Sequence, residues 1–242
     1  MDEQLSKLSE MFDRARRVAF LGGAGLSTES GIPDFRSSNG VYAALKAYGR
    51  PPEELLSHGF FMRHPDVFFD YYRKYLIRPD AKPNPAHYAL ARLEQRGKLT
   101  AVITQNIDEL HQRAGSRNVL ELHGSVYRNH CMKCGKSWPV DAVLDAEGVP
   151  RCTCGGIIKP DVVLYGEGLD PATHTAAVEA IAGADMLLIG GTQLSVYPAA
   201  GLVDYFRGRD LAVINLSATP RDEQAALTIR RPIGEVLSAV VP

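Results

Sequence analysis

The sequence predicts an α/β fold in which helices cover a parallel sheet on both faces and a smaller module is attached. Apolar segments of strand length alternate with segments of helical periodicity, which is typical of a sheet buried on both faces. Two stretches, 38–80 and 126–158, interrupt this alternation. The 242 residues exceed an average domain of about 150 residues but fall short of two such domains.

The composition is that of a globular protein without a strongly charged surface. Hydrophobic residues make up 45% of the chain, and 27 basic residues balance 28 acidic ones to a net charge of −1. This balance argues against a general electrostatic nucleic-acid binder. No apolar run approaches the roughly 18 residues of a membrane span, and the charged N-terminal segment lacks an apolar signal core. We therefore expect no nucleic-acid or membrane partner and a cytoplasmic location.

The first half of the chain contains two predicted helix–strand units. Helical spacing predicts an amphipathic first helix from four apolar residues, Leu5, Leu8, Phe12 and Ala15. The run 16–25 (RRVAFLGGAG) then predicts a buried strand that ends in a glycine turn. Asn84 and Pro85 are typical of a helix start and Gly97 of its end. A second buried strand is predicted at 99–106.

The second half repeats the alternation. Asp170 and Pro171 predict the start of a helix that continues to about Ala182. Two apolar strands and a closing helix follow, at 184–192, 210–217 and 232–241.

The two interrupting stretches differ in character. Residues 38–80 are aromatic-rich, with helical patterns and no obvious strand. Residues 126–158 hold all four cysteines and little sequence that can form a core. We expect the two stretches to combine into one smaller module.

A glycine turn follows the first predicted strand. Gly22, Gly23 and Gly25 precede a predicted helix that contains Ser27 and Thr28. Glycines let the backbone approach a ligand, and amides at a helix start favour phosphate. As a dinucleotide fingerprint the turn is incomplete, because Thr28 stands at the third glycine position and no acidic residue ends the next strand. The alternative is a tight turn without a ligand.

A polar loop comes next and places Asp34, Phe35 and Arg36 in succession. An aromatic ring between an acid and a guanidinium can stack on a ligand ring and hold a carboxylate or phosphate. Taken alone, this segment is more simply interpreted as an ordinary loop with one buried Phe and a surface ion pair.

Polar side chains stand at the ends of three predicted strands. Gln105, Asn106 and Asp108 end strand 99–106, where ligands bind in open α/β sheets, although a helix cap explains them equally well. The strand ends after 184–192 and 210–217 can bond ribose or diphosphate oxygens, or simply form turns. Their polar residues are Thr192, Gln193, Ser195, Asn215 and Ser217.

His123 is the candidate general base. It follows the apolar stretch 118–122 (NVLEL) and precedes Gly124. An imidazole at a strand end can exchange protons near neutral pH. The alternative is a structural or surface histidine.

The four cysteines form two pairs with the spacing of metal ligands. Cys131 and Cys134 are a C-x-x-C pair, and Cys152 and Cys154 a C-x-C pair after an intervening loop. Two such pairs strongly indicate a structural zinc site, because four thiolates complete a tetrahedron and leave no position for water. The alternatives are redox-active or merely buried thiols. The C-x-C spacing is the one irregularity.

Taken together, these segments resemble the sirtuins, the NAD-dependent protein deacylases, in family order over nearly the whole chain. GIPDFR, QNID and HG are the most specific combination. Besides the cysteine pairs, the matching segments are GAGLS (23–27), GIPDFRS (31–37), TQNID (104–108), LHG (122–124), PDVVLYGE (160–167), GGTQLSVYPAAG (190–201) and INLSATP (214–220).

The resemblance implies a large Rossmann-like, NAD-binding domain and a small domain, with a cleft between them for NAD and acyl-lysine. The large domain would be discontinuous, at 1–37, 81–125 and 159–242. The small domain would combine a helical insert, 38–80, with a zinc module, 126–158, that holds one structural zinc ion.

The resemblance also implies roles for individual residues. The catalytic pair would be His123 and Asn106. NAD would contact Gly23, Ala24, Gly25, Thr28, Asp34, Phe35, Arg36, Gln105, Ile107, Asp108, Gly191, Thr192, Gln193, Asn215, Leu216 and Ile233. The substrate peptide would lie along Val163, Tyr165, Gly166, Val196 and Tyr197. Gln193 stands where the family usually has Ser, which puts one NAD contact in question.

The implied reaction is NAD-dependent deacetylation of lysine in proteins or peptides, which releases nicotinamide and O-acetyl-ADP-ribose. The alternatives are mono-ADP-ribosyl transfer or removal of longer acyl chains at the same NAD site, and a non-catalytic NAD or ADP-ribose sensor. Family members that prefer succinyl or malonyl groups carry a Tyr followed three residues later by Arg. Here Tyr72 is followed at that distance by Tyr75, and Arg73 lies one face round, so we expect uncharged acyl groups.

Overall fold

The computed structural model describes residues 2–34 and 37–241. Within them the α-helices are α1 Glu3–Arg14, α2 Ala24–Ser27, α3 Ser38–Tyr48, α4 Pro52–Leu55, α5 His58–Arg63, α6 Pro65–Tyr75, α7 Pro85–Gln95, α8 Leu110–Arg113, α9 Asp141–Leu144, α10 Pro171–Ala182 and α11 Ile233–Val240. The strands are β1 Val18–Gly22, β2 Leu99–Thr104, β3 Val119–Glu121, β4 Gly124–Cys131, β5 Ser137–Pro139, β6 Ile158–Val162, β7 Met186–Gly190, β8 Asp210–Ile214 and β9 Leu227–Ile229. Short 3₁₀ helices lie at Thr28–Ser30, Ala199–Tyr205 and Asp222–Gln224.

The main sheet has six parallel strands in the order β3-β2-β1-β7-β8-β9. The chain leaves β1 toward β2 on one side and later returns on the other side at β7. Strand order therefore reverses at β1, and ligands bind at such a switch point beyond the carboxyl ends of the strands. The predicted parallel sheet is confirmed.

Alternate residues of the central strands face two separate apolar layers. Val18 and Phe20 of β1 pack with α1, α7 and α11, whereas Ala19 and Leu21 pack with α10 and the 3₁₀ helix Ala199–Tyr205. This period of two explains why nearly every residue of the central strands is apolar, because both faces are covered.

The predicted helices and strands of this sheet occur where the sequence placed them. The Asn84 side chain caps α7, and Gly97 adopts φ +71 just after the helix ends. The sequence did not predict β9, since three residues at a sheet edge carry too little pattern. Within 2–34 and 37–241, no helix has the length and apolarity needed to cross a membrane.

A third apolar cluster joins the two interrupting stretches. Phe68, Phe69 and Tyr72 of α6 pack in the same cluster as Val126 of β4 and Ile158 of β6. The expectation that 126–158 contributes little core is wrong, because these residues form an antiparallel sheet of order β5-β4-β6. Its strands mix polar and apolar residues, and the buried ones include Ser125, Asn129 and Lys159, so the pattern lacks the continuous apolar runs of the main sheet.

Arg73 also fastens α6 to the cysteine-bearing segment. Its Nε donates to the carbonyl oxygen of Val143 at 2.6 Å, a second guanidinium nitrogen donates to the carbonyl of Gly148, and the group lies over the Phe69 ring. The side chain is therefore engaged in joining these segments.

Candidate active site

Two glycine turns meet beyond the carboxyl ends of β1 and β7. The amide of Gly25 donates to the carbonyl oxygen of Gly191 at 2.8 Å. A Cβ added to Gly25 would lie 2.9 Å from that oxygen, and one added to Gly191 would lie 2.3 Å from the amide nitrogen of Leu26. The turns therefore need glycine for their mutual contact, whether or not a ligand lies against them.

Buried amides connect the first of these turns to the end of β2. The Nδ2 atom of Asn106 donates to the carbonyl oxygen of Gly23 at 3.1 Å and to Oγ of Ser27 at 2.9 Å. Ser27 in turn donates to Oδ2 of Asp108 at 2.6 Å. Gln105 Nε2 donates to Oγ1 of Thr192 at 3.0 Å. These contacts hold the polar strand ends in fixed positions around the switch point.

Asp108 lies between the end of β2 and the start of α8. Its Oδ1 accepts the amide of Leu110, the first residue of α8, at 3.0 Å, and the residue also lines the cleft described below. Burial raises the pKa of its carboxyl group, against hydrogen bonds from Ser27 and Leu110 that lower it. Asn106, in contrast, makes no bond to the start of α8 within the described part of the chain, and its side-chain amide donates to Gly23 and Ser27.

The side chain of His123 is oriented by the backbone of the neighbouring strand end. Its Nδ1 lies 2.9 Å from the carbonyl oxygen of Gln105. A carbonyl oxygen only accepts, so Nδ1 carries the proton and Nε2 is the basic nitrogen of the neutral ring. The geometry therefore suits a group that takes up a proton at Nε2.

A large cleft lies in front of His123, with an empty volume of about 1190 Å³. Asn106 and His123 both line it, together with the predicted NAD-contacting residues Ala24, Gln105, Ile107 and Asp108. All five residues predicted to contact the peptide also line it, namely Val163, Tyr165, Gly166, Val196 and Tyr197. Part of this volume is open to solvent, so the cleft is an open groove and not a closed cavity.

A second cleft, with an empty volume of about 810 Å³, shares Ala24 with the first. Its other lining residues from the predicted NAD set are Gly25, Thr28, Asp34, Gly191, Thr192, Gln193, Asn215, Leu216 and Ile233. Gly23 reaches the site through its carbonyl group, which accepts from Asn106. Phe35 and Arg36 lie outside the residues that the structure describes.

The structure adds lining residues that sequence reasoning did not single out. Leu56, Tyr75 and Leu76 of the helical segments line the first cleft, and Glu29 and Arg231 line the second. Ser27 lines the first cleft as well, and its place in the GAGLS segment was the available signal. The others carry no local motif, because their contribution depends on how distant segments pack.

The four cysteines converge at the end of the small sheet. All four Sγ atoms lie within 4.8 Å of one another, with Cys131 to Cys154 at 3.4 Å and Cys134 to Cys152 at 3.7 Å. In a tetrahedral site with Zn–S bonds of about 2.3 Å, the sulfurs are about 3.8 Å apart. The donor set fits one zinc ion, and the C-x-C spacing does not prevent the second pair from reaching it.

Comparison with known proteins gives consistent matches. A model of the Sir2 family matches residues 23–198. The chain is 54% identical over 243 residues to an NAD-dependent protein deacetylase of Clostridium perfringens, with 100% of both chains covered. It is 41% identical over 241 residues to an NAD-dependent protein deacetylase of Staphylococcus aureus, covering 100% of this chain and 99% of the relative.

Solved structures match over similar lengths. A structure of a Sir2 enzyme has a TM-score of 0.89 at 39% identity, covering 100% of this chain and 97% of the other. A Sir2 homologue in complex with NAD has a TM-score of 0.88 at 37% identity, covering 100% and 93%. A Sir2 protein with a deacetylated p53 peptide and 3′-O-acetyl-ADP-ribose has a TM-score of 0.89 at 37% identity, covering 98% and 97%.

Proposed function

Because the chain belongs to the Sir2 family, we propose that it is an NAD-dependent protein lysine deacetylase. The products would be the free lysine, nicotinamide and O-acetyl-ADP-ribose. One observation carries this proposal beyond the family match. His123, with Nδ1 tied to the Gln105 carbonyl, lies on the same cleft as every residue predicted to contact the peptide, and this cleft meets the second one at Ala24.

The second cleft would hold the adenosine half of NAD. Thr192, Gln193, Asn215, Leu216 and Ile233 line it. The start of α2 would face the diphosphate, since amide groups at a helix start attract anions. When bound, NAD supplies a glycosidic bond that is already weakened by its positively charged ring nitrogen.

The first cleft would hold the nicotinamide half and the acyl-lysine. Gln105, Asn106, Ile107 and Asp108 would position the ribose and the carboxamide. Enclosure by the apolar residues of this cleft would exclude water from the reacting atoms. His123 would then take a proton from a ribose hydroxyl at Nε2.

The peptide would add as an extended strand between two loops. Val163, Tyr165 and Gly166 belong to one loop, and Val196 and Tyr197 to the other, and all five line the cleft. Recognition through backbone hydrogen bonds makes side-chain preference weak.

The acyl group would be uncharged, acetyl first. Tyr75 and Leu76 line the cleft, whereas Tyr72 is fully buried and Arg73 is bonded to the carbonyl of Val143. Among the described residues that line the cleft there is no Lys or Arg. The carboxylate of a succinyl or malonyl group would therefore find no Lys or Arg partner among these lining residues.

The cysteine cluster would hold one structural zinc ion, and the domains would divide as the resemblance implies. The strands β4 and β6 extend slightly past the predicted boundaries, since β4 begins at Gly124 and β6 ends at Val162. We also propose a cytoplasmic location, because four thiolate ligands persist most readily in a reducing compartment.

Mass spectrometry on an acetyl-lysine peptide, with and without NAD, tests the proposed function. We expect NAD-dependent loss of acetyl with formation of O-acetyl-ADP-ribose. His123→Ala should lower the rate by about 100-fold or more, because it removes the general base. His174→Ala, on α10 and outside both clefts, is the matched control and should retain the rate.

Other outcomes point elsewhere. A protein that gains the mass of ADP-ribose would indicate mono-ADP-ribosyl transfer. Nicotinamide release without deacetylation would indicate a different acyl group or acceptor. No NAD consumption with any acyl peptide would contradict the enzyme and favour a sensor.

A further inference from the structure

The loop 163–167 is fastened on two sides by its backbone. The amide of Val163 donates to the carbonyl oxygen of His123 at 3.0 Å. On the other side, Tyr165 N donates to Leu56 O at 3.0 Å, and His58 N donates to Tyr165 O at 2.9 Å. The loop thus connects the backbone of His123 to the helical segment that contains α5.

A buried lysine lies directly beneath this loop. Lys159 is 9% exposed, and its Nζ lies 3.3 Å from Pro160 O, 3.1 Å from Val162 O and 3.2 Å from Oε2 of Glu167. An ammonium group has three donors, and these three acceptors use all of them. A charge this deeply buried is retained only where it is paired.

The carboxylate of Glu167 contacts three residues from different segments. Its Oε2 accepts the amide of Leu164 at 2.9 Å and the ammonium of Lys159, while Oε1 lies 2.8 Å from Nδ1 of His58. Burial raises the pKa of Glu167, but the Leu164 amide, His58 and Lys159 together lower it below its usual range. The group is therefore a carboxylate at neutral pH.

We propose that Lys159 and Glu167 are positioning residues that hold the loop 163–167 in the shape that receives the substrate peptide. This inference rests on the proposed function. The pair links the end of β6, the Leu164 amide and, through His58, the start of α5. Lys159 does not line the cleft, and the carboxylate of Glu167, which does, is bonded to Lys159, Leu164 and His58. In the proposed function the backbone of the loop would carry the peptide contacts.

Loss of one partner leaves a buried charge without its counterion, which disturbs the loop more than loss of both. For Glu167→Gln we expect peptide Kd to rise about tenfold, the size of a lost hydrogen bond to a charged group. Lys159→Met should act in the same direction. In the double variant, peptide Kd should rise by less than in either single variant.

The measurement is the anisotropy of a fluorescein-labelled acetyl-lysine peptide titrated with each zinc-loaded protein, together with KM and kcat. We expect peptide Kd and KM to rise while kcat at saturating peptide stays within about threefold, since binding rather than chemistry is weakened. The matched control is Asp210→Asn, which breaks an ion pair to Arg14 at 2.7 Å on the main sheet, away from both clefts. It should lower stability without changing peptide Kd.

Hydrogen exchange keeps the test decisive if a variant is unstable. In Glu167→Gln the amides of 162–168 should exchange faster, while those of β1 and β7 remain protected. Peptide Kd within twofold of the unsubstituted protein, or exchange that rises equally in β1 and β7, would overturn the positioning role. If the unsubstituted protein neither binds nor deacetylates the peptide, the proposed function itself fails, and that result is distinct from the others.

Discussion

The two walls of the first cleft are held together by different interactions. The sheet wall, formed by segments that follow β1, β2 and β7 along the chain, is fixed by side-chain hydrogen bonds such as Asn106 to Ser27. The insert wall, formed by the loop 163–167 with Leu56, Tyr75 and Leu76, is fixed at the loop by the charged groups of Lys159 and Glu167. Cys131 and Cys152 of the cysteine cluster pack in the same apolar cluster as α6. The sheet wall is positioned by the pairing of strands within one sheet. The insert wall depends on a buried ion pair and on a neighbouring metal site.

Metal removal gives the largest expected contrast between the walls. Chelation of zinc should unfold β4, β5 and β6, because structural zinc contributes on the order of 10 kcal/mol to such modules. We expect these strands to lose protection against hydrogen exchange while β1 and β7 keep theirs, and peptide binding to be lost. If β1 and β7 lose protection together with β4, the two walls unfold as one unit, which would contradict their separate stabilisation.

Acid should weaken the sheet side through a buried histidine pair. His87 and His111 lie against each other behind the sheet wall, with ring centroids 4.8 Å apart. Burial lowers the pKa of His87 to about 2, with a smaller effect from His111, and burial alone lowers that of His111 to about 3. Both folded values lie below the unfolded value of about 6.5, so their stabilisation is complete above that pH and is lost as the pH falls.

At pH 5 each histidine should reduce the free energy of unfolding by about 2 kcal/mol, and the pair by about 4 kcal/mol. Urea unfolding at pH 7 and pH 5 measures this. His111→Leu should remove about 2 kcal/mol of the difference, since neither ring nitrogen of His111 has a partner among the described residues. His64→Gln, at an exposed position, is the control; an unchanged pH difference in His111→Leu would contradict the assignment.

The smallest expected effect is a difference in stability between substitutions of two neighbouring residues on α6, Arg73 and Lys74. Arg73→Met removes the bond to the Val143 carbonyl, which joins α6 to the cysteine-bearing segment, and should reduce stability by about 2 kcal/mol. Lys74→Met breaks a pair with Asp70 in which the side chains are 59% and 47% exposed, and should change stability by less than about 0.5 kcal/mol. Thermal unfolding compares the two variants. Equal effects would mean that the Arg73 contact does not stabilise this junction.

The two walls also differ in what the sequence could predict. Strands such as β1 and β7 are apolar throughout because both faces are covered, so local pattern alone identified them. Asn106 and His123 stand at strand ends, where topology restricts the place of a site. The roles of these residues stay predictions, but their positions around the two clefts agree with the predicted sets.

The insert wall was less accessible to prediction because its contacts join segments far apart in the chain. Glu167 contacts His58, and Leu56 lines the cleft, yet neither relation leaves a periodic signal. Strand β4 (GSVYRNHC) mixes polar and apolar residues, so its burial against α6 was missed. No pattern in the sequence indicates that Lys159 is buried, since burial of a lysine depends on partners that only the fold brings together.

The contact between Gly25 and Gly191 limits how the second cleft can be redesigned. Each turn presents bare backbone to the other, so no L-amino acid with a side chain fits at either position without moving both strand ends. A substitution at either glycine should therefore displace the opposite turn as well. Gln193 is exposed on the same cleft. Directed evolution of cosubstrate preference can therefore vary Gln193 without disturbing the glycine contact.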